Sequence, residues 1–388
     1  MIRWPPCSAD SPEGCASVIN ADVHTYLSPS MQKSLNAVST AYAANGTGPM
    51  VYGKYREHGY AVNPLTAQLG TFVPERASAA EAFEIAGLNW TAERRPVTFM
   101  GADGPLQSPD HVAIVRSDND GLLGIHGTGY TPVQNNALVN LLDYLREDIQ
   151  LETVLSIRNG RRVYATAAIN TESEVLPGDR VRRYLHIFNS HDGSSGFGVF
   201  FSDVRLACAN QLNFLTGRAA SSTTKEGAGL RRRHTSSVTD FTQKLPQLID
   251  IERRTFAQSV DELRELTKVK LTPEIAIRVL QQTYADKLAT PIRDKRTGDK
   301  RPRDLNDLPE IGTIRSHYSG NTGLGINDIP GVRGTAYALF NAITQQATHD
   351  GGRAKDSTER ARARLESLWG GTSAKRIDRA REACLALV

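Results

Sequence analysis

Cysteine, methionine and tryptophan are scarce in this sequence of 388 residues, which contains four, four and three of them. The cysteines are too few and too scattered for a disulfide framework and form no CxxC metal pair; they are Cys7, Cys15, Cys208 and Cys384. Structural disulfides belong to oxidising compartments. We therefore expect a protein of the reducing cytoplasm.

Long apolar runs are also missing. The chain contains no stretch of about 18 apolar residues, which excludes a membrane-spanning helix, and its start lacks the apolar core of a secretory signal. We expect no membrane association. Residues 1–30 are rich in Ser, Pro and Ala and are predicted to be disordered, because such a composition cannot bury enough apolar surface to fold.

Signatures of catalysis and of cofactor binding are absent as well. The glycine-rich segments 124–129 and 193–198 match neither a Walker loop nor a dinucleotide fingerprint. His186 and His191 are five residues apart, so on one strand they would point to opposite faces and would not share a metal ion. Cys208 stands in an apolar context and is predicted to be a buried small residue. The sequence therefore favours a non-enzymatic protein without a metal or cofactor.

What the sequence does contain is an uneven distribution of charge. The total of 46 Lys and Arg against 42 Asp and Glu gives a net charge of +4. Residues 1–150 carry nine basic and fifteen acidic side chains, a net charge of −6, whereas residues 151–388 carry 37 and 27, a net charge of +10. The basic excess lies in the strand-like region 158–205, the triplet Arg231–Arg233 and the run Arg293–Arg303. Such clusters are typical of nucleic-acid-binding surfaces, although ordinary solvated surfaces also carry them.

The pattern of elements predicts an α+β fold with a central antiparallel β-meander bracketed by helices. Asn159-Gly160 lies between two strand-like segments and predicts a two-residue hairpin turn. A helix is predicted before the meander, over residues 132–147, and a helix or turn is predicted from Cys208 onward. From Val238 the apolar residues recur at helical spacing, which predicts a mainly helical C-terminal region.

Composition and helix-start signals suggest how the chain is divided. We predict a disordered segment 1–30, an α+β core over 31–235 and a helical region over 236–388. Ser78 and the pair Thr272-Pro273 are predicted to begin helices within these regions. The segment 217–234 has the composition of a mobile loop.

Nine arginines are candidate phosphate ligands. Alternation in the predicted hairpin places three of them near its turn, beside Tyr164, and a meander with arginines at its turns could follow a phosphate backbone while bases stack on aromatic rings. The predicted DNA-binding residues are Arg158, Arg161, Arg162, Arg182, Arg183, Arg205, Arg231, Arg232 and Arg233. An alternative stays open, in which Tyr164 and Tyr184 belong to the core and the arginines form ordinary surface ion pairs.

Three segments resemble a family of uncharacterised proteins found in phages, prophages and mobile plasmids. They contain the ordered motifs YTPVQN, SHDGS and RxxCxN, and the resemblance covers residues 65–385. The β-β-β-α order of the central elements is in turn similar to the core of the eukaryotic single-strand annealing recombinase and its phage relatives. That similarity implies a homo-oligomer, such as a ring, that holds single-stranded DNA in a basic groove inside a bacterial host cell.

The leading hypothesis is a non-enzymatic protein of a mobile element that binds single-stranded DNA and promotes strand annealing, recombination or replication. One alternative is a protein-binding accessory or counter-defence factor, in which the acidic N-terminal part would mimic the charge of DNA. Another is an enzyme with an unrecognised site around Asn189, His191, Asp192 and Arg205. However, Asp192-Gly193 is also a standard reversal signal between strands.

Overall fold

The computed structural model describes most of the chain from residue 78 onward. The described residues are 50–52, 70–72, 78–205, 210–212, 229–232, 234, 245–294, 296–320, 327–350, 357–368 and 371–388. The disorder predicted for residues 1–30 lies outside them, as do Cys208, Arg233 and most of the loop predicted over 217–234.

Strands and helices both contribute strongly, and the helices are concentrated towards the C-terminus. The strands are β1 (Met50–Tyr52), β2 (Gly70–Phe72), β3 (Ala92–Gly101), β4 (Gly104–Arg116), β5 (Leu122–Gly127), β6 (Ile149–Ile157), β7 (Arg162–Leu176), β8 (Asp179–Ser190), β9 (Phe197–Arg205), β10 (Asn210–Gln211), β11 (Gly229–Arg232), β12 (Ile292–Arg293) and β13 (Lys300–Arg301). The helices are α1 (Ala79–Ile85), α2 (Asn135–Tyr144), α3 (Leu245–Lys268), α4 (Pro273–Thr283), α5 (Ala285–Leu288), α6 (Pro309–Tyr318), α7 (Ala336–Gln345), α8 (Ser357–Leu368) and α9 (Thr372–Leu385). A 3₁₀ turn covers Leu305–Asp307 and a π-helical turn covers Gln346–Asp350. The predicted α+β class is confirmed.

Strands β6 to β9 form the predicted antiparallel meander within a larger sheet. The strand order is β10-β9-β8-β7-β6-β1-β2, with β1 and β2 parallel, and β11 pairs with β9 beside this path. A hydrogen bond from Arg161 N to Arg158 O (3.2 Å) closes the β6–β7 turn. At its centre Asn159 and Gly160 have φ angles of 59° and 85°, which are positive as a type I′ turn requires. The hairpin turn predicted at Asn159-Gly160 is confirmed.

Both faces of the meander are covered, so its inner strands are buried almost continuously instead of alternating between core and solvent. All nine residues of β9 are buried. One face shares a core with α1 and α2, to which Val163 and Ile187 contribute. The other face shares a core with the C-terminal helices, to which Val181 and Phe200 contribute. The C-terminal helices therefore pack directly on the sheet, while the predicted division at residues 235 and 236 stays a prediction.

Local sequence sets where the helices begin. Ser78 caps α1 in a capping box with Glu81, and Thr272 caps α4 one residue before Pro273, as predicted. The helix predicted over 132–147 begins only at Asn135. Its first predicted residues are extended because the side chain of Gln134 bonds both the N–H and the C=O of Ala92, at 2.8 and 3.0 Å.

Within the segment from Cys208 onward, for which a helix or turn was predicted, the described residues 210–212 are not helical. Asn210 and Gln211 instead form β10, which is antiparallel to β9 and lies opposite Arg205 and Val204. The next helix in the described part of the chain is α3, which packs against β7.

Strands β3, β4 and β5 form a separate antiparallel sheet with β4 at its centre. The predicted turn Asp118–Gly121 joins β4 to β5, and Asn119 Oδ1 accepts a hydrogen bond from Gly121 N (2.9 Å). Among the helices described, none combines the length and the apolar character that a bilayer crossing demands.

Candidate nucleic-acid interface

Two turns of the meander lie at the same end of the main sheet, and the motifs YTPVQN and SHDGS meet there. His191 N in the β8–β9 turn donates a hydrogen bond to Arg161 O in the β6–β7 turn (2.8 Å). Strand β11 runs antiparallel to β9, with Arg232 opposite Phe197, and the chain then brings His234 to the same end, where Thr131 N donates to its carbonyl oxygen (3.1 Å). We call this region the turn end of the sheet.

Three aromatic side chains stack at the turn end. The rings of His126 and Tyr130 are nearly parallel with centroids 3.9 Å apart, and those of Tyr130 and His234 are nearly parallel at 4.9 Å. His126 Nε2 donates to the carbonyl oxygen of His191 (2.8 Å), which fixes the ring. His126 and Tyr130 are partly exposed, whereas His234 is buried, so the stack runs from the surface inwards. We call these three residues the aromatic stack.

A buried polar cluster adjoins the aromatic stack. The His191 ring lies 5.4 Å from that of Trp90 and 6.4 Å from that of His234, measured between centroids. Burial lowers the pKa of His191 to about 3 and that of His234 to about 4, so both rings are neutral at physiological pH. Asn189 Nδ2 donates to Val133 O (2.8 Å) and holds this strand end against the YTPVQN segment.

The SHDGS motif forms the β8–β9 turn, as the Asp192-Gly193 reversal signal predicts. Ser190 Oγ and Ser194 N both donate to the Asp192 carboxylate, at 2.6 and 2.9 Å. Arg162 Nε lies 3.3 Å from the same carboxylate. Burial alone would raise the pKa of Asp192, but the hydrogen bonds from the two serines and the charge of Arg162 lower it overall. Asp192 therefore shapes the turn and offsets the charge of Arg162.

Exposed arginines border the aromatic stack. Arg94 Nη2 donates to Thr128 O (2.7 Å) and Arg161 Nε donates to Leu122 O (3.3 Å), so both guanidinium groups are held against the segment that carries His126. Both side chains are exposed, and neither forms an ion pair with any residue in the described part of the chain. Arg158 is exposed at the same turn, with a positive φ of 55°. The turn end therefore exposes three guanidinium groups around the aromatic stack, and the exposed Asp118 and Asp120 of the adjoining β4–β5 turn add acidic charge beside them.

Comparison with known proteins places this site within a family. A model described as "Domain of unknown function (DUF932)" matches residues 122–369, well over half of the chain. The chain belongs to this family. The DUF932 match begins at β5 and includes the aromatic stack and the SHDGS turn, whereas Trp90 and Arg94 precede it. Searches of curated proteins and of solved structures each found no match.

Within the DUF932 region, Arg182 lies away from the turn end and is already paired. Glu172 stands directly opposite it on β7, and Arg182 Nε donates to Glu172 Oε1 (2.8 Å) while Arg180 Nη1 donates to Oε2 (3.1 Å). The Arg182 side chain is only 13% exposed. The charge of Arg182 is therefore neutralised by Glu172 within the protein.

The charge of Arg183 is also neutralised within the protein, by an ion pair with Asp203. Its side chain is 1% exposed and donates to both oxygens of Asp203, at 2.6 and 3.1 Å. The same guanidinium donates to Thr255 Oγ1 in α3 (2.8 Å), and Ser259 Oγ of α3 donates to Asp203 (2.5 Å). This ion pair joins β8 and β9 to α3 and presents no free guanidinium to solvent.

Arg205 forms the second buried ion pair of the sheet. Its side chain is 0% exposed and donates to both oxygens of Asp179, at 2.6 and 3.0 Å. Tyr337 Oη of α7 donates to the same carboxylate (3.0 Å). The pair lies at the end of β8 and β9 opposite the turn end, so Arg205 does not join Asn189, His191 and Asp192 in one site.

The structure thus divides the nine predicted DNA-binding arginines. It brings together at the turn end the side chains of Arg158, Arg161 and Arg162 and the backbone of Arg231 and Arg232 in β11. The side chains of Arg231 and Arg232, and all of Arg233, lie outside the described part. Arg182, Arg183 and Arg205 are engaged with carboxylates elsewhere in the sheet.

His186 and His191 lie in different surroundings. His186 lies within hydrogen-bonding distance of Thr166 Oγ1 (3.1 Å) and Ser202 Oγ (2.6 Å). No group of three or more His, Cys, Asp or Glu side chains among the described residues is arranged to hold a metal ion.

Sequence reasoning missed all three members of the aromatic stack. His126 and Tyr130 are separated by glycines in a turn, and His234 comes more than a hundred residues later, so no spacing rule links them. The only signal was that Tyr130 opens the YTPVQN motif and that His234 follows the arginine triplet. The first of these signals lies in the stretch that the DUF932 model matches.

Replacing Gly160 by alanine is expected to destabilise the protein by about 1–3 kcal/mol. Gly160 has a φ of 85°, and an added Cβ would lie 2.7 Å from Cζ2 of Trp90. Urea denaturation of Gly178→Ala supplies the control, because Gly178 has a φ of 80° with nothing within 4 Å of its would-be Cβ. Equal losses of stability in both variants would show that close packing of Gly160 against Trp90 does not stabilise the β6–β7 turn.

Proposed function

We propose that the protein binds single-stranded DNA without catalysing a reaction, and that the turn end of the sheet is its DNA contact. In this proposal Arg94, Arg158 and Arg161 attract phosphates, and an unpaired base stacks on the partly exposed ring of His126. The juxtaposition of exposed arginines with the aromatic stack is the observation that carries the proposal. Proteins that bind single strands without sequence preference combine these two elements, a cationic surface and aromatic rings.

A second exposed cationic element supports the proposal that the ligand is a polyanion. Strands β12 and β13 form a small antiparallel hairpin, which carries Arg293, Arg296 and Lys300 as exposed side chains without an ion-pair partner among the described residues. Arg301 differs, because it is paired with Asp307 (2.5 Å) at the base of the hairpin. The hairpin could extend a phosphate-binding surface beyond the turn end.

The role in strand annealing, recombination or replication of a mobile element is the finer part of the proposal. It rests on the resemblance to phage and plasmid proteins and on the order of the central elements. The β-meander with α3 packed on one face is compatible with that order.

Replacing Arg94 and Arg161 together by alanine is expected to weaken binding of a fluorescent oligothymidylate about tenfold at low salt. Each phosphate contact to a single strand contributes about 0.7 to the slope of log K against log salt concentration, so the slope should flatten by about 1.4. Fluorescence anisotropy across a salt series measures both quantities.

The matched control is the double variant Arg146→Ala with Arg278→Ala. It removes the same charge from exposed positions, one at the opposite end of the sheet and one on α4. Its affinity at low salt should fall by less than about twofold and its slope should stay unchanged, because neither side chain lies at the turn end to contact a phosphate. Equal losses in the two double variants would contradict the proposed site, and a lack of binding by the unmodified protein would contradict the proposed function.

A further inference from the structure

A buried arginine among the C-terminal helices has no carboxylate partner. Arg376 of α9 is only 8% exposed, and no Asp or Glu in the described part of the chain lies within ion-pairing distance of its guanidinium group. Its Nε–H also finds no hydrogen-bond acceptor there. The guanidinium group lies over the ring of Tyr284, with Cζ 4.6 Å from the ring centroid. Because an uncompensated charge is costly to bury, Arg376 lowers the stability of the fold unless an anion compensates it.

Two carboxylates near Arg376 are already bonded to other cations. Asp286 accepts a hydrogen bond from Arg379 Nη1 (2.5 Å), and Glu310 Oε1 is paired with Lys287 Nζ. Burial alone would raise the pKa of both carboxyl groups, but the hydrogen bonds from these partners and, to a smaller extent, the charge of Arg376 lower it overall. Both groups are therefore ionised at physiological pH, and neither is left to pair with Arg376.

The same region contains an unpaired acceptor and a further cation. Glu310 Oε2 is buried without a hydrogen-bond donor among the described residues. Lys287 Nζ lies 5.9 Å from the centroid of the Tyr284 ring, so it shares this ring with Arg376. Arg303 Nη1 donates to the carbonyl oxygen of Lys287 (3.5 Å), and the buried Nε of Arg303 has no acceptor in the described part of the chain. We call Lys287, Arg303, Glu310 and Arg376 the Arg376 cluster.

The unpaired atoms of the Arg376 cluster define the chemistry of a ligand. Two guanidinium N–H groups require an acceptor, whereas Glu310 Oε2 requires a donor. Three cationic side chains and one carboxylate also leave a net charge of +2. Inorganic phosphate meets all three requirements, because it is an anion that keeps at least one O–H at neutral pH. Sulfate and phosphodiesters have no O–H at that pH, and a phosphomonoester keeps one only below about pH 6.

We propose that the Arg376 cluster binds inorganic phosphate. Arg303 and Arg376 donate to phosphate oxygens, and the phosphate O–H donates to Glu310 Oε2. The cluster reaches the surface at Lys287, whose side chain is 27% exposed. The proposal concerns a region separate from the turn end and does not depend on DNA binding, because the backbone of DNA consists of phosphodiesters.

Isothermal titration calorimetry of the full chain at pH 7.5 tests this proposal without any variant. Potassium phosphate should bind about tenfold or more tightly than potassium sulfate, because sulfate leaves the buried Glu310 Oε2 unpaired. Phenyl phosphate, a phosphomonoester, should also bind more weakly than inorganic phosphate at this pH. A lack of phosphate binding at millimolar concentration, or sulfate binding of equal affinity, would overturn the proposal. Phenyl phosphate of equal affinity would overturn the assignment to inorganic phosphate.

Replacing Arg376 by methionine separates phosphate binding from packing. The variant should bind phosphate about tenfold or more weakly, because it loses charge-assisted hydrogen bonds. Without phosphate, its free energy of unfolding should equal or exceed that of the unmodified protein, because an apolar side chain replaces a buried charge that has no ion-pair partner. The matched control is Arg381→Met on the same helix, where the guanidinium group is already paired with Glu262; its phosphate affinity should be unchanged. Unchanged affinity in Arg376→Met, or a loss of stability in phosphate-free buffer, would contradict the proposal.

Glu310→Gln tests the origin of the preference for phosphate. An amide donates to either anion, so the variant should bind phosphate and sulfate with similar affinity, and a preference that persists would contradict the role of Glu310. An unmodified protein that binds phosphate but no oligothymidylate would overturn only the proposed function. One that binds oligothymidylate but no phosphate would overturn only this inference.

Discussion

Replacing Arg205 by alanine is expected to lower the free energy of unfolding by about 3–5 kcal/mol, because removing one partner of a buried ion pair leaves the other charge uncompensated. Arg205 and Asp179 are both 0% exposed, and the pair joins the sheet to Tyr337 of α7. Urea denaturation followed by circular dichroism measures the loss. We expect a loss of the same size for Arg183→Ala, because this variant would leave the buried Asp203 carboxylate beneath α3 without its cationic partner.

Two comparisons separate this effect from a general effect of charge. Arg333 pairs with Asp328 at the surface, where both are more than half exposed, and Arg333→Ala should cost less than about 1 kcal/mol. The double variant Arg205→Met with Asp179→Leu should recover much of the loss, because it removes both buried charges and keeps the volume. A cost below about 1 kcal/mol for Arg205→Ala would mean that the guanidinium is solvated and available to phosphate.

Acidification is expected to destabilise the protein well before its carboxylates are protonated. Burial lowers the pKa of His186 and of His191 to about 3, and that of His234 to about 4. In the unfolded chain a histidine has a pKa of about 6.5. Below that pH the unfolded state binds protons that the folded state does not, so stability is fully present above pH 6.5 and is lost as the pH falls towards 4.

The size of this loss of stability follows from the difference in the number of bound protons between the unfolded and the folded state. At pH 5 each of the three histidines contributes a loss of about 2 kcal/mol, because one pKa unit corresponds to about 1.4 kcal/mol. Urea midpoints measured between pH 7.5 and 5 should therefore fall steeply. His186→Gln should remove about a third of this pH dependence, since glutamine keeps hydrogen-bonding capacity towards Thr166 and Ser202 without titrating. His111→Gln, at an exposed position, should leave it unchanged, and a flat profile above pH 5 in the unmodified protein would contradict the buried, neutral state of these rings.

Most of the central fold could be predicted because its signals are local. Asn159-Gly160 forces positive φ angles and so fixes a turn, and Ser78 and Thr272 cap the helices that follow them. The beginning of α2 could not be predicted, because it depends on Gln134 bonding the backbone of Ala92, more than forty residues earlier. The strand β10 could not be predicted for the same reason, because its two residues form a strand only through their pairing with β9.

The site was less accessible to sequence reasoning. Alternation correctly placed Arg158 and Arg161 near the hairpin turn, but it could not show that Arg183 and Arg205 are buried. Their neutralising partners, Asp203 and Asp179, are about 20 and 26 residues away in sequence and become adjacent only when β8 and β9 pair. A count of net charge treats a buried, paired arginine and an exposed one alike.

Photocrosslinking most directly tests the claim that single-stranded DNA binds at the turn end. An oligonucleotide containing 5-iodouracil would be irradiated with the full chain, and the crosslinked tryptic peptide would be identified by mass spectrometry. We expect a crosslink within residues 117–146, which contain His126 and Tyr130, and its loss in the Arg94→Ala, Arg161→Ala variant. Crosslinks confined to the C-terminal helices, or none in a protein that remains folded, would contradict it.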